Sequence, residues 1–555
     1  MSSDFFILLI LLSPALLALV AIVSYLQPGL RPRLVIRMSK TVSIINIFIA
    51  ALSAYAVVRY QLLVSDTFGY AGLGFSVRLD PLSVLMLGMI SLLAFVVIRF
   101  SSNYLDGDAR QGSFMGRMAA MVASVQLLVL SGNLGLLVIA WTMTSLTLHR
   151  LLLFYPERPA AIIAARKKFI VARLADICLM IASLLLFQFF GTGDLEQIFT
   201  ELKAMLTGGN IPLAVEIAAL MLALAALLKS AQFPTHGWLI EVMETPTPVS
   251  ALLHAGLLNA GPFLVTRMAF VMEGASWAPV LLLLVGGFTA LFASVAFLTQ
   301  PAIKTALGYS SVAHMGFMLT VCALGVYPAA MLHLVAHSFY KAHAFLSSGS
   351  AVEVTRASRI SLPKRLGSPL RIGLSITISL LIYLAFAYSW GIDPANELAL
   401  LATGAIVVMG LTQIIATTMD ASGMKTAIFR AGLLALLVAT AFFSLESGAQ
   451  RILHSQLPNP LQPGLLMLTL TALMLSVYAA TVLLQILGPT LPHQERMQRL
   501  AIHFRNGFYA NACFDRLIGS LKIGKGSPFS GKRYSREPLK ENVSEEQVMQ
   551  ESLAS

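Results

Sequence analysis

The chain has 555 residues, 57% of them hydrophobic and only 12% charged, against about a quarter charged in ordinary soluble domains. Polar groups cannot cover so apolar a chain in water, so lipid is the solvent for much of it. The formal net charge of +12 does not mark a nucleic-acid partner, because Lys and Arg sit in short loops between apolar runs, which is membrane topology.

Cys178, Cys322 and Cys513 lie far apart, which suggests neither a disulfide framework nor a cysteine metal site. There is no Gly-rich phosphate loop and no haem or iron–sulfur spacing, so no cofactor is expected in this chain. The start, Met1 to Asp4, lacks basic residues, and the apolar run from Phe5 to Val23 is long enough to span. It reads as a first transmembrane helix and not as a cleaved signal.

At roughly 20 apolar residues per span, the sequence predicts an all-α polytopic membrane protein with about fifteen transmembrane helices. In chain order they cover 4–26, 41–60, 81–100, 114–131, 133–150, 168–190, 214–231, 247–270, 277–299, 306–325, 328–351, 372–390, 396–418, 430–446 and 464–488. With the N-terminus outside, one side receives Arg31, Arg33, Arg37, Lys40, Arg150, Arg158, Arg166, Lys167, Lys168, Arg356, Arg359, Lys364, Arg365 and Arg371. The other receives Asp66, Asp194, Glu196, Glu201, Asp393 and Glu397. This asymmetry predicts a multi-pass protein of the bacterial inner membrane, with a periplasmic N-terminus and a cytoplasmic C-terminus. Residues 1–113 read as N-terminal transmembrane helices and 419–490 as C-terminal ones. Residues 491–523 carry Ile502, Phe504, Phe508, Tyr509, Phe514, Leu517 and Ile518 among Arg and Asn, an amphipathic segment for the cytoplasmic membrane surface. The stretch 524–555 lacks apolar periodicity, and disorder is expected there.

An ionisable residue inside a span costs several kcal/mol without a partner or water, so each one demands a reason. Lys229 ends an apolar run and is followed by Pro234. Proline removes a backbone donor and clashes with the preceding turn, so the helix should break near Lys229. A broken helix exposes carbonyls that hold water and cations at mid-membrane, and a buried lysine is suited to load and release a proton. The plainer reading is a lysine snorkelling to a cytoplasmic helix end. Asp176 follows Arg173 by one helical turn. It either shifts between Arg173 and Lys229 during transport or forms a static pair.

His333, His337 and Lys341 recur four residues apart and form one polar stripe on an otherwise apolar helix. Histidine titrates near physiological pH, so a His–His–Lys row with interleaved water can relay protons. The His333–His337 spacing also suits a zinc pair, but Leu334 stands where a metalloprotease needs its Glu, and no metal is expected. His254, after the run Pro246-Thr247-Pro248, and His314 with Lys304 extend the line. Glu241 and Glu244 either guard a cytoplasmic mouth or are solvated loop carboxylates. Thr142, Thr144, Ser145 and His149 are candidates for an access path.

The run Lys229 to Pro234, the run Met243 to Ala255, Ile303-Lys304 through His314-Met315-Gly316, and His333 through Lys341 to Ser350 match long motifs in order. They resemble the antiporter-like, proton-translocating subunits of respiratory complex I and of multisubunit cation/proton antiporters, over about residues 75–350. The resemblance implies two inverted five-helix repeats, 114–270 and 271–418, each with a broken helix, on a central polar axis. It makes Lys229 and Lys341 the family's buried lysines and Asp176–Arg173 its acidic–basic pair. Two positions depart from the pattern. Thr142 follows Trp141 where the family usually has a glutamate, and residues 372–418 contain no lysine where its later broken helix usually has one.

Leu105 to Gly112 and Thr144 to Pro159 carry a narrower resemblance. They look like the DabB family, the membrane subunits of two-component inorganic carbon uptake systems. That resemblance implies a DabA-like, carbonic-anhydrase-related partner on the cytoplasmic side, with zinc in the partner. It also implies that this chain lets cations, expected to be protons, flow down their gradient to power one-way CO2 hydration there. Three other functions stay open on the sequence: a proton-pumping subunit of a respiratory oxidoreductase, a cation/proton antiporter subunit, and a non-conducting membrane anchor.

Overall fold

A computed structural model describes residues 3–208, 211–242, 245–349, 369–391, 397–421, 424–458, 463–487 and 494–518. Hydropathy builds the first half as α1 (Ser3–Val23), α2 (Arg33–Tyr60), α3 (Pro81–Tyr104), α4 (Gln111–Val129), α5 (Leu134–Leu152) and α6 (Pro159–Phe190). There follow α7 (Leu195–Gly208), α8 (Leu213–Lys229), α9 (Gly237–Glu241), α10 (Thr247–Ala255), α11 (Ala260–Arg267) and α12 (Ala269–Glu273). Next come α13 (Trp277–Thr299), α14 (Ile303–Ala323), α15 (Tyr327–Leu346), α16 (Pro369–Ser389), α17 (Leu398–Ala421), α18 (Met424–Leu453) and α19 (Leu465–Leu487). Two short helices, α20 (Gln494–Arg505) and α21 (Ala510–Ile518), close the described chain.

Twelve helices among the described residues are long and apolar enough to cross a membrane. The three other expected spans are helices too, each shortened or made polar for a visible reason. Helix α8 has 17 residues and stops at Lys229, α15 carries the His–Lys stripe, and the apolar part of α17 covers only Leu398–Thr412. Helix α17 runs unbroken over its 24 residues, where the resemblance implies a break. It holds neither a lysine to position nor a proline to interrupt it.

Two features have no counterpart in the hydropathy pattern, and both sit at the acidic end of the bundle. One is α7. The other is a pair of two-stranded ribbons, Leu63–Val64 with Arg78–Leu79 and Phe68–Tyr70 with Leu73–Phe75. Gly72 at φ +74 lets the second ribbon touch the turn at Thr192, because a Cβ there would meet Thr192 Oγ1 at 2.5 Å. A buried ionic clamp fixes this end. Asp80 caps α3 by accepting from Ser83 N at 2.8 Å and pairs with Arg78 at 2.7 Å and with Arg267. Arg78 also donates to Glu196 at 2.5 Å and to Gln456 Oε1 at 2.8 Å. Burial alone would raise the Asp80 carboxyl, but the Arg267 and Arg78 guanidiniums outweigh it and hold the group well below the usual carboxylate range.

At the basic end, Tyr155 donates to Asp108 at 2.6 Å and Arg110 to the Phe154 carbonyl at 2.9 Å. The two segments that carry the narrower resemblance therefore meet in space. Helices α20 and α21 fold back onto this end. The Phe504 and Phe508 rings lie 6.2 and 5.8 Å from Phe292, and Gln300 donates to the Arg505 carbonyl at 3.2 Å. Leu500, Ile502 and Leu517 stay exposed on the outer face, so the amphipathic segment presents one apolar side to the bundle and another outward. Residues 524–555 lie outside the described residues.

Candidate functional site

Two polar centres lie inside the bundle. The first forms where α8 stops. After Lys229 the chain turns through 230–236, with Ala231 at φ 52, before α9 begins. Side chains satisfy the freed backbone: Phe233 N donates to Thr289 Oγ1 at 3.1 Å, and the Ser230 carbonyl accepts from Gln232 Nε2 at 2.8 Å. An interrupted helix survives at membrane depth only when its loose groups are paired in this way.

The Lys229 side chain is buried beside α5. Its Nζ donates to Ser145 Oγ at 2.6 Å, to Thr144 Oγ1 at 3.1 Å and to the Trp141 carbonyl at 3.1 Å. It also stands 4.3 Å from the Trp141 ring centroid, a cation–π contact. Positions 141, 144 and 145 share one helix face, which turns position 142 away. Thr142 is half-buried and is not among the lysine's ligands, which on α5 are the Trp141 carbonyl, Thr144 and Ser145. The Arg173–Asp176 pair forms on α6 at 2.7 Å, and Asp176 makes no hydrogen bond to Lys229.

Lys168 joins this centre, although its basic neighbours suggest a loop. Helix α6 begins at Pro159, so Lys167 and Lys168 fall inside it and both are buried. Lys168 Nζ donates to the Ser145 carbonyl at 2.5 Å. Lys168, Lys229, Thr144 and Ser145 line a cavity of about 20 Å³, room for about one water.

The second centre lies on α14 and α15. His314 Nδ1 and His333 Nε2 are 2.9 Å apart in a hydrogen bond, and the His337 ring centroid lies 5.0 Å from that of His314. Lys341 is fully buried and donates to the Leu307 carbonyl at 3.1 Å. His254 stacks on Phe345 at 4.3 Å. Both ring nitrogens of His254 and of His337 are buried with no partner among the described residues. Buried polar atoms of this kind are normally satisfied by ordered water, which makes this a wettable row. Asn259, at the break between α10 and α11, donates to Ser338 Oγ at 2.7 Å and ties that break to the stripe helix. A cavity of about 610 Å³ opens beside His314 and His333, walled on its far side by Thr403, Phe442 and Tyr478.

The remaining candidates lie at the edges. Lys304 donates to Thr247 Oγ1 at 3.3 Å where α14 and α10 begin. Glu241 is no free guard. It pairs with Lys167 at 2.7 Å and accepts from Asn511 Nδ2 at 2.6 Å, while Asp515 of α21 pairs with the same lysine. Glu244 lies outside the described residues. His149 packs at a tilt against Phe169, ring centroids 5.2 Å apart, and lines a separate cleft with Arg117 and Arg150. Lys167, Lys168 and the Asp515 contact were invisible to hydropathy, and only the burial of two adjacent lysines at the start of a long helix signals them.

Residues 131–391 match the NADH:quinone oxidoreductase/Mrp antiporter transmembrane family, and residues 67–115 match the N-terminus of complex I chain 5. The chain is 35% identical over 450 residues to a probable inorganic carbon transporter subunit DabB2 of Halothiobacillus neapolitanus, covering 80% of this chain and 81% of that protein. It is 42% identical over 267 residues to a probable inorganic carbon transporter subunit DabB of Hydrogenovibrio crunogenus, covering 48% of this chain and 51% of the relative. In fold it is similar to a chain of the Mrp complex from a Dietzia species, with TM-score 0.63 and 22% identity over 93% of this chain and 61% of that one. The chain therefore belongs to the antiporter-like membrane subunits of the complex I and Mrp family, in the branch of the DabB inorganic carbon transporter subunits.

Proposed function

We propose that this chain is the cation-conducting membrane subunit, with the proton as its ion, of an energy-coupled inorganic carbon (CO2/bicarbonate) uptake complex of a cell inner membrane. Its N-terminus lies outside and its C-terminus in the cytoplasm. A DabA-like, carbonic-anhydrase-related partner bearing zinc sits on the cytoplasmic side and carries out the CO2 hydration. This chain supplies the path for the ion whose downhill flow makes that hydration one-way.

One observation carries the reading. Lys229 and Lys341 are both buried, His314, His333 and His337 cluster on the helices that carry Lys341, and Lys229 is held by hydroxyls and a carbonyl and not by a hydrogen-bonded carboxylate. An ammonium held this way keeps a bound proton exchangeable, because its direct hydrogen-bond partners are neutral oxygens and not a carboxylate. The similarity to DabB subunits supports the carbon-uptake context, and the meeting of Asp108 with Tyr155 gives that branch's motifs a shared surface at the basic end.

The test is to purify the tagged chain from native membranes in mild detergent, identify its stoichiometric partner and assay zinc. In parallel, Lys229→Ala and Lys341→Ala are scored for growth at ambient CO2. A large zinc-bearing partner, with loss of growth in both variants and intact assembly, supports the proposal. Respiratory or small antiporter subunits as partners would overturn the carbon-uptake reading, and growth of both variants would overturn conduction.

A further inference from the structure

Glu446 lies within the predicted span on α18 and is only 7% exposed. An acid at such a position is costly unless it has a partner or water. Among the described residues its carboxylate has no hydrogen-bond or ion-pair partner, and it lines a cavity of about 90 Å³ with Glu397, Gln450, His454 and Pro328. That volume holds several waters.

The position of the cavity matters more than its size. Phe442, one turn before Glu446 on α18, and Leu445, the residue before it, wall the 610 Å³ cavity. On α15, Pro328 lines the smaller space while Ala329, Leu332 and His333 line the larger. The two cavities are thus stacked along the same two helices. Their inner terminus is the His314–His333 pair. Their outer terminus is the acidic end, where Gln456, two residues beyond His454, is held by Arg78.

We infer that Glu446 is the acid that takes up the conducted proton from the acidic end, with Glu397 at its mouth, and passes it through water to the His314–His333 pair. The carboxylate accepts a proton from hydronium, leaving water, and returns to the carboxylate when the proton moves to an imidazole. No other reagent is involved. The inference rests on the conduction reading above, and its test separates the two.

The intact complex, chain and partner together, is reconstituted in proteoliposomes, and proton flux is followed under an imposed gradient for wild type, Glu446→Gln, Glu446→Asp and Lys341→Ala. Assembly is checked by size exclusion. Native complex is also treated with dicyclohexylcarbodiimide, which modifies buried protonated carboxyls, and the peptide containing Glu446 is weighed. The expected result is a flux loss of about a hundredfold in Glu446→Gln, substantial retention in Glu446→Asp, and a carbodiimide adduct on Glu446. Wild-type flux in Glu446→Gln overturns the inference. If Lys341→Ala still abolishes flux in that case, conduction survives the failure, and if it does not, both fall. Equal loss in the Asp and Gln variants with no adduct also overturns the inference, since that pattern marks a packing role.

Discussion

Ser145 Oγ accepts a hydrogen bond from Lys229 Nζ at 2.6 Å, and the Ser145 carbonyl accepts another from Lys168. A single residue of α5 therefore holds two buried lysine side chains that line one water-sized cavity. Ser145 meets both lysines with dipoles and not with a charge. A hydroxyl can donate or accept as its neighbours change protonation, which a carboxylate fixed in an ion pair cannot do as freely.

Removing that hydroxyl should slow transport without dismantling the helix. A hydrogen bond to a charged group is worth about 1.5–3 kcal/mol, so Ser145→Ala should lower proton flux about tenfold or more. Thr142→Ala, whose side chain is turned away from Lys229, should stay within about twofold, the small effect normal for positions outside the network. Both are read in vesicles under an imposed pH gradient. Equal effects of the two substitutions would mean that the contact to Ser145 does not matter.

The C-terminal helices make a second testable contact. Lys167 is fully buried and is shared by Glu241 and Asp515, with Asn511 beside them. Lys167→Ala leaves both carboxylates facing each other without a cation, and losing one partner of a buried pair costs about 3–5 kcal/mol. Hydrogen exchange of residues 494–518 should then speed up, while the peptides of α3 and α4 remain unchanged. Asp515→Asn should show a weaker version, because Glu241 still neutralises the lysine. Unaltered exchange in Lys167→Ala would show that the aromatic contacts to Phe292 alone hold the segment.

Much of this architecture was legible because two signals depend only on neighbouring residues. Apolar run length places the helices, and the Lys229–Pro234 spacing marks the break, since a proline acts on its own turn. The stripe of His333, His337 and Lys341 follows from helical period alone. What stayed hidden depends on distant partners. Arg267 stands 187 residues from Asp80, and nothing in the local sequence of either pairs them. Lys167 and Lys168 look like topology-setting loop charges because hydropathy starts the sixth span at 168, whereas the helix starts at Pro159. Glu446 is masked by the apolar residues before it, and its meaning comes only from the cavity it faces.

Tyr155 and Asp108 join the two motifs of the narrower resemblance at the basic end. Burial, and then the bond to Asp108, push the Tyr155 hydroxyl up to about 12, so it stays a donor throughout the working pH range. Arg158 stacks over the ring at 4.6 Å. Tyr155→Phe removes the donor but keeps the stack, and should weaken capture of the partner subunit in a pull-down by about tenfold, the scale of one lost charge-assisted bond. Arg158→Ala tests the stack separately. Full partner recovery in both variants would move the docking surface elsewhere.

The clamp around Asp80 gives the sharpest stability prediction. Asp80→Asn leaves the Arg78 and Arg267 guanidiniums buried with only neutral oxygens nearby, apart from Glu196 on Arg78, which should cost about 3–5 kcal/mol and lower Tm in detergent. Glu196→Gln should cost less than about 1 kcal/mol, since that side chain is 38% exposed and solvent already screens it. The pH dependence follows from the depressed carboxyl. Its stabilisation is complete above the unfolded value, near pH 4, and is lost as pH falls toward the folded one. The Tm gap between wild type and Asp80→Asn should therefore hold from about pH 8 to pH 5 and shrink only below about pH 4. A gap that already closes between about pH 7 and pH 5 would mean a carboxyl raised by burial, and the two arginines would then not be its dominant partners.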